Sequence, residues 1–215
     1  MTEAADAPTR CGFVALIGAP NSGKSTLTNS LVGTKVSIVT HKAQTTRGPV
    51  RGIVLAGDAQ VILVDTPGIF QPRRRLDRAM AQAAWDRAGD ADLVALVIDA
   101  ARGLDDKLEP IVKQLPELNR PVVAVLNKVD LVKKPALLSL TSELLALRAF
   151  AEIFMVSALT GDGVDDLRAY LANAVPHGPW LFPEDQLTDA SLRQTAAEIT
   201  REKLFLRLHE ELPFA

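Results

Sequence analysis

The sequence predicts an α/β fold in three layers, with a mostly parallel six-stranded sheet between two layers of helices. Short apolar runs alternate along the chain with helical segments, and this alternation is typical of a parallel sheet covered on both faces. One pair of runs, Val50–Leu55 and Gln60–Val64, is joined by a link too short for a parallel crossover. We therefore expect one antiparallel strand in the sheet.

The individual elements follow from apolar runs and from helical spacing. The strands are predicted at Phe13–Ile17, Val50–Leu55, Gln60–Val64, Leu93–Ile98, Val122–Leu126 and Ile153–Val156. The helices are predicted at Ser25–Val32, Leu76–Ala88, Leu104–Leu115, Pro135–Phe150 and Val164–Ala174.

The chain of 215 residues is long enough for one full domain and a smaller element. Residues 1–10 are expected to form a disordered tail, and residues 11–175 the main domain. Several prolines and a glycine predict a linker over residues 176–190. A capping box at Ser191 and Gln194 then begins a C-terminal helix that is expected to reach about Glu211, within a last segment of residues 191–215.

Composition limits the partners and the compartment. The formal charge of −2 gives no overall attraction to nucleic acid or to an anionic membrane. The single cysteine excludes an internal disulfide and is consistent with a reducing compartment. No apolar stretch is long enough to span a bilayer, and the first residues do not resemble a signal peptide. These features predict a cytoplasmic protein.

A glycine-rich run connects the first strand to the first helix: Gly18-Ala19-Pro20-Asn21-Ser22-Gly23-Lys24-Ser25. Such a loop points backbone N–H groups at one spot, where the helix dipole adds positive potential. Lys24 would reach the β and γ phosphates, and the Ser25 hydroxyl would ligate Mg²⁺, with Thr26 in the same first turn. The run predicts a polyphosphate site.

A second motif, Asp65-Thr66-Pro67-Gly68, follows the third strand. Asp65 would hold Mg²⁺ through water, and the N–H of Gly68 would face the γ phosphate, where a glycine permits close approach. Ile69 comes next, and the glutamine that orients the attacking water in many GTPases is missing there. Another group must then hold the water.

Two motifs at strand ends are expected to bind the base: Asn127-Lys128-Val129-Asp130 and Ser157-Ala158-Leu159. The carboxylate of Asp130 can accept both N–H groups of guanine, whereas adenine presents an acceptor there, so Asp130 selects GTP. Asn127 would brace the loop, the stem of Lys128 would lie over the ring, and the N–H of Ala158 would reach the guanine carbonyl. Carboxyl ends of strands are where open α/β sheets bind ligands.

A polar segment, residues 39–48, has no clear periodicity and lies where a switch loop is expected. Thr46, or alternatively Thr45, would ligate Mg²⁺ and contact the γ phosphate, so that the loop is ordered with GTP and released after hydrolysis. The expected Mg²⁺ ligands are thus Ser25, Thr46 and Asp65.

Asn21 is a candidate for part of the missing catalytic role. Its side-chain oxygen would ligate a K⁺ ion that offsets negative charge developing during hydrolysis. The alternative is a turn-forming asparagine. The residues expected to act in hydrolysis are Asn21, Lys24, Thr46 and Gly68.

Two other functions stay open at this point. One is an ATP-using P-loop enzyme, against which Asp130 argues. A nucleotide-gated interaction module with negligible turnover is the other alternative, because the orienting glutamine is missing.

The motifs GAPNSGKS, TTR, DTPG, NKVD and SAL, in this order, resemble those of the Era family in the translation-factor class of P-loop GTPases. The most specific parts of the resemblance are residues 42–47 and 182–189, and residues 201–204 and 210–213 extend it. The resemblance implies a GTP-hydrolysing switch in small ribosomal subunit assembly that binds the 3′ end of 16S rRNA in the 30S subunit. It also implies peripheral contact with the inner membrane.

Family members continue into a KH domain that clamps RNA with a GxxG loop. This sequence has no GxxG and stops after the expected first KH helix, so weak rRNA binding is predicted for these residues. A monomer is expected.

Overall fold

The computed structural model describes residues 8–37, 39, 50–66, 68–69, 75–106, 108–147 and 149–207. The strands are β1 (Arg10–Ile17), β2 (Val50–Ala56), β3 (Ala59–Asp65), β4 (Leu93–Asp99), β5 (Val122–Asn127) and β6 (Glu152–Val156). The helices are α1 (Lys24–Val32), α2 (Arg75–Asp90), α3 (Glu109–Gln114), α4 (Lys134–Ala146), α5 (Val164–Ala174) and α6 (Leu192–Arg207), with short 3-10 helices at Leu115–Leu118 and Val129–Leu131.

The strands form one sheet in the order β2-β3-β1-β4-β5-β6. Every neighbouring pair is parallel except β2 and β3, which form the expected hairpin. The predicted mostly parallel six-stranded sheet is therefore confirmed. This order brings the carboxyl ends of β1, β3, β4 and β5 to one edge of the sheet.

Two apolar clusters cover the two faces of the sheet. Along β1, Val14 and Leu16 belong to one cluster, and Ala15 and Ile17 belong to the other, because successive side chains of a strand point to opposite faces. Helices α1 and α5 contribute to the first cluster, and α2, α3 and α4 to the second. The three-layer prediction is confirmed.

Two predicted helices were too long. The helix predicted at Leu104–Leu115 begins only at Glu109, because Asp105 forms a turn in which both its carboxylate and its carbonyl accept the N–H of Leu108. The helix predicted at Pro135–Phe150 ends at Ala146, and Phe150 packs against the second cluster instead. The C-terminal helix is described as far as Arg207, and the rest of its predicted range lies outside the described residues.

The predicted tail of residues 1–10 extends one residue into β1. Arg10 is the first residue of β1, and its guanidinium donates to the carbonyls of Asn173 (3.1 Å) and Val175 (2.8 Å) at the end of α5. Thr9 also exchanges hydrogen bonds with Gly178. Residues 1–7 lie outside the described part of the chain.

The segment predicted as a linker, residues 176–190, contacts the hairpin of β2 and β3. The side chain of Gln60 is fully buried, accepts the N–H groups of Leu181 (2.9 Å) and Phe182 (3.0 Å), and donates to the carbonyl of Phe182 (2.8 Å). The N–H of Ile53 in β2 donates to the carbonyl of Leu187 at 2.9 Å. The segment is thus fastened to both strands of the hairpin.

Within the described residues, no helix has the length and apolar character that a bilayer span requires.

Candidate functional site

Gly18 and Gly23 of the glycine-rich loop are required both by their backbone conformation and by the close approach of neighbouring atoms. Gly18 has φ +146°, and a Cβ there would lie 2.3 Å from the carbonyl oxygen of Val97. Gly23 has φ +97°, and a Cβ there would lie 2.2 Å from Nδ2 of Asn127. Both backbone conformations are rarely adopted by other residues. The loop is therefore held close to β4 and to the end of β5.

Lys24, at the first position of α1, is directed back over the loop. Its Nζ donates to the carbonyls of Gly18 and Ala19, both at 3.0 Å, and the residue is only 6% exposed. Burial lowers the pKa of Lys24 to about 8, although the charge of Asp65 acts in the opposite direction. A phosphate chain in the loop would supply negative charge beside Lys24 and so favour its charged form. The half-buried Thr26 follows in the same turn.

The two described candidates for metal ligation lie together. The Ser25 hydroxyl donates to Oδ2 of Asp65 at 2.7 Å, and Asp65 is fully buried at the end of β3. A hydroxyl that donates its hydrogen bond to the carboxylate keeps its lone pairs for a cation, and hard oxygen ligands suit Mg²⁺. These two residues therefore fit a Mg²⁺ ion, which the phosphate oxygens would help to hold. The third candidate, Thr46, and its alternative, Thr45, lie outside the described residues.

The segment after Asp65 packs against the glycine-rich loop. A Cβ on Gly68 would lie 2.8 Å from both N and Cα of Pro20, so only a glycine permits this approach. The N–H of Ile69 donates to the carbonyl of Gly18 at 2.9 Å, and its side chain is buried in the second apolar cluster. The Ile69 side chain is therefore part of the core and offers no polar group to an attacking water. Pro67 lies outside the described residues.

Thr66, the second residue of this motif, has its hydroxyl inside the fold, and its contact with the nucleotide stays a prediction. Its fully buried hydroxyl donates to the carbonyl of Leu16 in β1 at 2.7 Å, so it fastens the loop after β3 to the neighbouring strand. A side chain committed to the backbone in this way positions the site.

Asn127 connects the three parts of the site. Its Nδ2 donates to the carbonyl of Ser22 at 2.9 Å, and its Oδ1 accepts the N–H groups of Lys128 (2.8 Å) and Ala158 (3.0 Å). The bracing role is as predicted. The predicted donation from the N–H of Ala158 to the guanine carbonyl stays a prediction, and without nucleotide this N–H donates to Asn127. Ser157, also buried, forms the turn that follows, and Leu159 is exposed.

Lys128 spans the site from the base-recognition turn to the glycine-rich loop. Its Nζ donates to the carbonyl of Asn21 at 2.7 Å and to Oδ2 of Asp99 at 2.6 Å. Asp130 is exposed within the short 3-10 helix that Val129 begins. The carboxylate is therefore on the surface beside the turn, where a base can reach it.

Asn21 has φ +64°, a left-handed conformation that asparagine tolerates better than most residues. This accounts for the residue type through the turn alone. The role of its side chain in cation binding stays a prediction.

Sequence reasoning missed two residues that touch the site. Asp99 ends β4 and pairs with Lys128, and the rule that ligand sites lie at carboxyl ends of strands was a signal that pointed to it. Ser37 donates its hydroxyl to Asp65 at 2.9 Å, and nothing in its sequence context distinguishes it from other loop serines.

Comparisons with known proteins agree with this geometry. The profile of the family described as "50S ribosome-binding GTPase" matches residues 13–128. GTPase Era of Brucella melitensis biotype 1 is 60% identical over 207 residues, which cover 96% of this chain and 67% of the relative. GTPase Era of Dinoroseobacter shibae is 60% identical over 217 residues, which cover 100% and 70%.

Two crystal structures of Era superpose on 95% of this chain and 70% of theirs, each with a TM-score of 0.89 and 41% identity. One holds MgGDPNP and nucleotides 1506–1542 of 16S ribosomal RNA, and the other is an Aquifex aeolicus variant bound to GDP.AlF4⁻. Fold, phosphate loop and base-recognition turn together define a P-loop GTPase. More narrowly, the chain belongs to the Era family of GTPases, and it spans about two thirds of the length of these relatives.

Proposed function

We propose that this GTPase is a guanine-nucleotide switch that binds GTP and GDP with Mg²⁺ and acts in assembly of the small ribosomal subunit. The nucleotide part rests chiefly on Asn127, whose amide joins the turn carrying Asp130 to the carbonyl of Ser22 in the phosphate loop. A nucleotide whose base lies on that turn then has its phosphates beside Lys24.

Lys24 and the loop backbone bind the phosphates, and burial strengthens the attraction because little water screens it. Mg²⁺, held by Ser25 and Asp65, would supply neutralisation of phosphate charge when it is bound. Gly68 packs against Pro20, so its backbone lies beside the phosphate loop. Thr46, or alternatively Thr45, is predicted to ligate Mg²⁺ and to contact the γ phosphate from the switch loop.

The attacking water needs a group other than residue 69, since Ile69 is buried in the core. We propose that a K⁺ ion on the Asn21 side chain offsets the negative charge that develops during hydrolysis. The variant Asn21→Gly separates the two roles of this residue, because glycine keeps the left-handed turn and removes the oxygen. Faster single-turnover hydrolysis in K⁺ than in Na⁺, lost in Asn21→Gly, supports the proposal; equal rates in both salts contradict it.

The ribosomal part of the proposal is supported by the Era relative crystallised with 16S ribosomal RNA. Its test is titration of an RNA from the 3′ end of 16S rRNA with the GDPNP and GDP forms of the chain. Tighter binding of the GDPNP form, even if weak, supports a nucleotide-controlled contact with the 30S subunit, and equal binding of an unrelated RNA contradicts it. Cytoplasmic localisation with peripheral contact at the inner membrane, and a monomeric state, stay predictions.

The same hydrolysis experiment separates the alternatives. Preferential use of ATP would favour a P-loop enzyme of another class. GTP binding without hydrolysis in either salt would favour a nucleotide-gated interaction module.

A further inference from the structure

The root of the predicted switch loop, residues 35–37 and 39, is fixed by three different elements. We call this segment the loop root. The first element is α1: Oδ1 of Asn29 accepts the N–H groups of Val36 (2.9 Å) and Ser37 (2.8 Å), and its Nδ2 donates to the carbonyl of Ser37 at 2.8 Å. Asn29 thus holds the backbone on both sides of Ser37.

The second element is the carboxylate of the metal site. Ser37 is 3% exposed, and its hydroxyl donates to the same Oδ2 of Asp65 that accepts a hydrogen bond from the Ser25 hydroxyl. Two donors from different elements restrain rotation of one buried carboxylate. A ligand held in place before the ion arrives loses less freedom when it binds.

The third element is the C-terminal helix. Glu202 of α6 is 2% exposed, pairs with the half-exposed Lys35, and accepts the N–H of Val39 at 3.0 Å. Burial alone would raise the pKa of Glu202, but the hydrogen bonds from Lys35 and Val39 and the charges of Lys35 and Lys203 outweigh it and hold this pKa low. The carboxylate therefore clamps the loop root on both sides of Ser37.

We propose that Glu202 is a positioning residue for the metal site: by clamping Lys35 and Val39 it keeps Ser37 on Asp65, and so raises the affinity for Mg²⁺ in the nucleotide complex. The inference rests on the proposed Mg²⁺ and guanine-nucleotide binding. It makes docking of α6 and occupancy of the metal site mutually dependent, since coupling between two sites is reciprocal.

The test measures Mg²⁺ affinity apart from nucleotide affinity. Release of a fluorescent GDP analogue is followed over a Mg²⁺ titration for the full chain and for Glu202→Gln, Ser37→Ala and the double variant. We expect each single variant to raise the half-effective Mg²⁺ concentration about fivefold, at the low end of coupling between sites. We expect the double variant to match the single ones, because both changes interrupt the same connection.

Three controls exclude a general loss of structure. Glu198→Gln changes a carboxylate one turn earlier on α6 that pairs with Arg201 of the same helix, and it should leave the Mg²⁺ response unchanged. Ser37→Thr keeps the hydroxyl and should restore most of the response. Affinity for the analogue in excess chelator should be the same in all variants.

A second readout needs no ligand. Hydrogen exchange at the amides of Val36, Ser37 and Val39 should speed up in Glu202→Gln, while α1 and β3 stay as protected as before. Unchanged exchange at these amides, or an equal loss of analogue binding with and without Mg²⁺, overturns the inference. If Mg²⁺ does not slow release of the GDP analogue from the wild-type chain, the proposed function is overturned as well. If Mg²⁺ slows release equally in the wild-type chain and in the variants, the positioning role alone is overturned.

Discussion

Nucleotide affinity should fall steeply as the pH rises above 8, because Lys24 binds phosphate only in its charged form. Burial lowers the pKa of Lys24 from 10.5 to about 8 in the free chain, and bound phosphate favours the charged form. The apparent dissociation constant scales inversely with the charged fraction. That fraction falls from about 90% at pH 7 to about 10% at pH 9 for a pKa of about 8, so the GDP dissociation constant should rise about tenfold over this interval.

The assay is calorimetric titration of the chain with GDP in pairs of buffers that differ in ionisation enthalpy. Near pH 9 the complex should take up close to one proton per GDP, and near pH 7 almost none. Lys24→Arg keeps its charge throughout, so its remaining pH dependence reports titration of the base itself. The reasoning would be refuted if the wild-type chain took up no proton on binding GDP and if its GDP dissociation constant varied with pH as it does in Lys24→Arg.

The same shift has a consequence for stability in the absence of nucleotide. The folded chain releases the Lys24 proton at a lower pH than the unfolded chain, so between pH 8 and 10.5 the unfolded chain binds more protons. The contribution of this group to the free energy of unfolding therefore increases as the pH rises through that window.

Three further substitutions test the attachment of residues 181–182 to β3 and the packing of the glycine-rich loop. Gln60→Leu removes three hydrogen bonds to the 181–182 backbone and should lower the free energy of unfolding by about 3 kcal/mol at about 1 kcal/mol each; a loss below about 1 kcal/mol in urea denaturation would contradict this. Gly23→Ala should displace Asn127 and weaken GDP binding at least about tenfold, whereas Gly33→Ala, whose glycine is also left-handed (φ +80°) but has open space around it, should lower stability without changing GDP affinity.

The fold could be predicted because its signals are local. Each buried strand is a short apolar run, and the hairpin follows from the length of one link. The misjudged helix ends have tertiary or side-chain causes: Asp105 prefers a turn to the first turn of α3, and Phe150 gains more from packing in the core than from extending α4.

The part of the candidate site that the sequence predicts consists of residues in recognisable motifs. Glycines, Lys24 and Asn127 form motifs whose residue types are tied to phosphate or base chemistry, so sequence alone places them. Ser37 and Glu202 were not predictable, because each acts through a contact with a residue that is distant in the sequence. Ser37 contacts Asp65, 28 positions away, and Glu202 contacts Lys35, 167 positions away. Only the folded chain brings the loop root between Asp65 and α6.

The nucleotide site is expected to be specific for guanine, and substitution of Asp130 tests this most directly. We predict that with Mg²⁺ the wild-type chain binds GDP about 100-fold or more tightly than ADP, since Asp130 makes two charge-assisted hydrogen bonds that only guanine offers. In Asp130→Asn, GDP affinity should fall by a similar factor and xanthosine diphosphate should bind better than GDP, because its ring carbonyl accepts from the new amide. Equal affinities of the wild-type chain for GDP and ADP, or unchanged preference in the variant, would contradict the account.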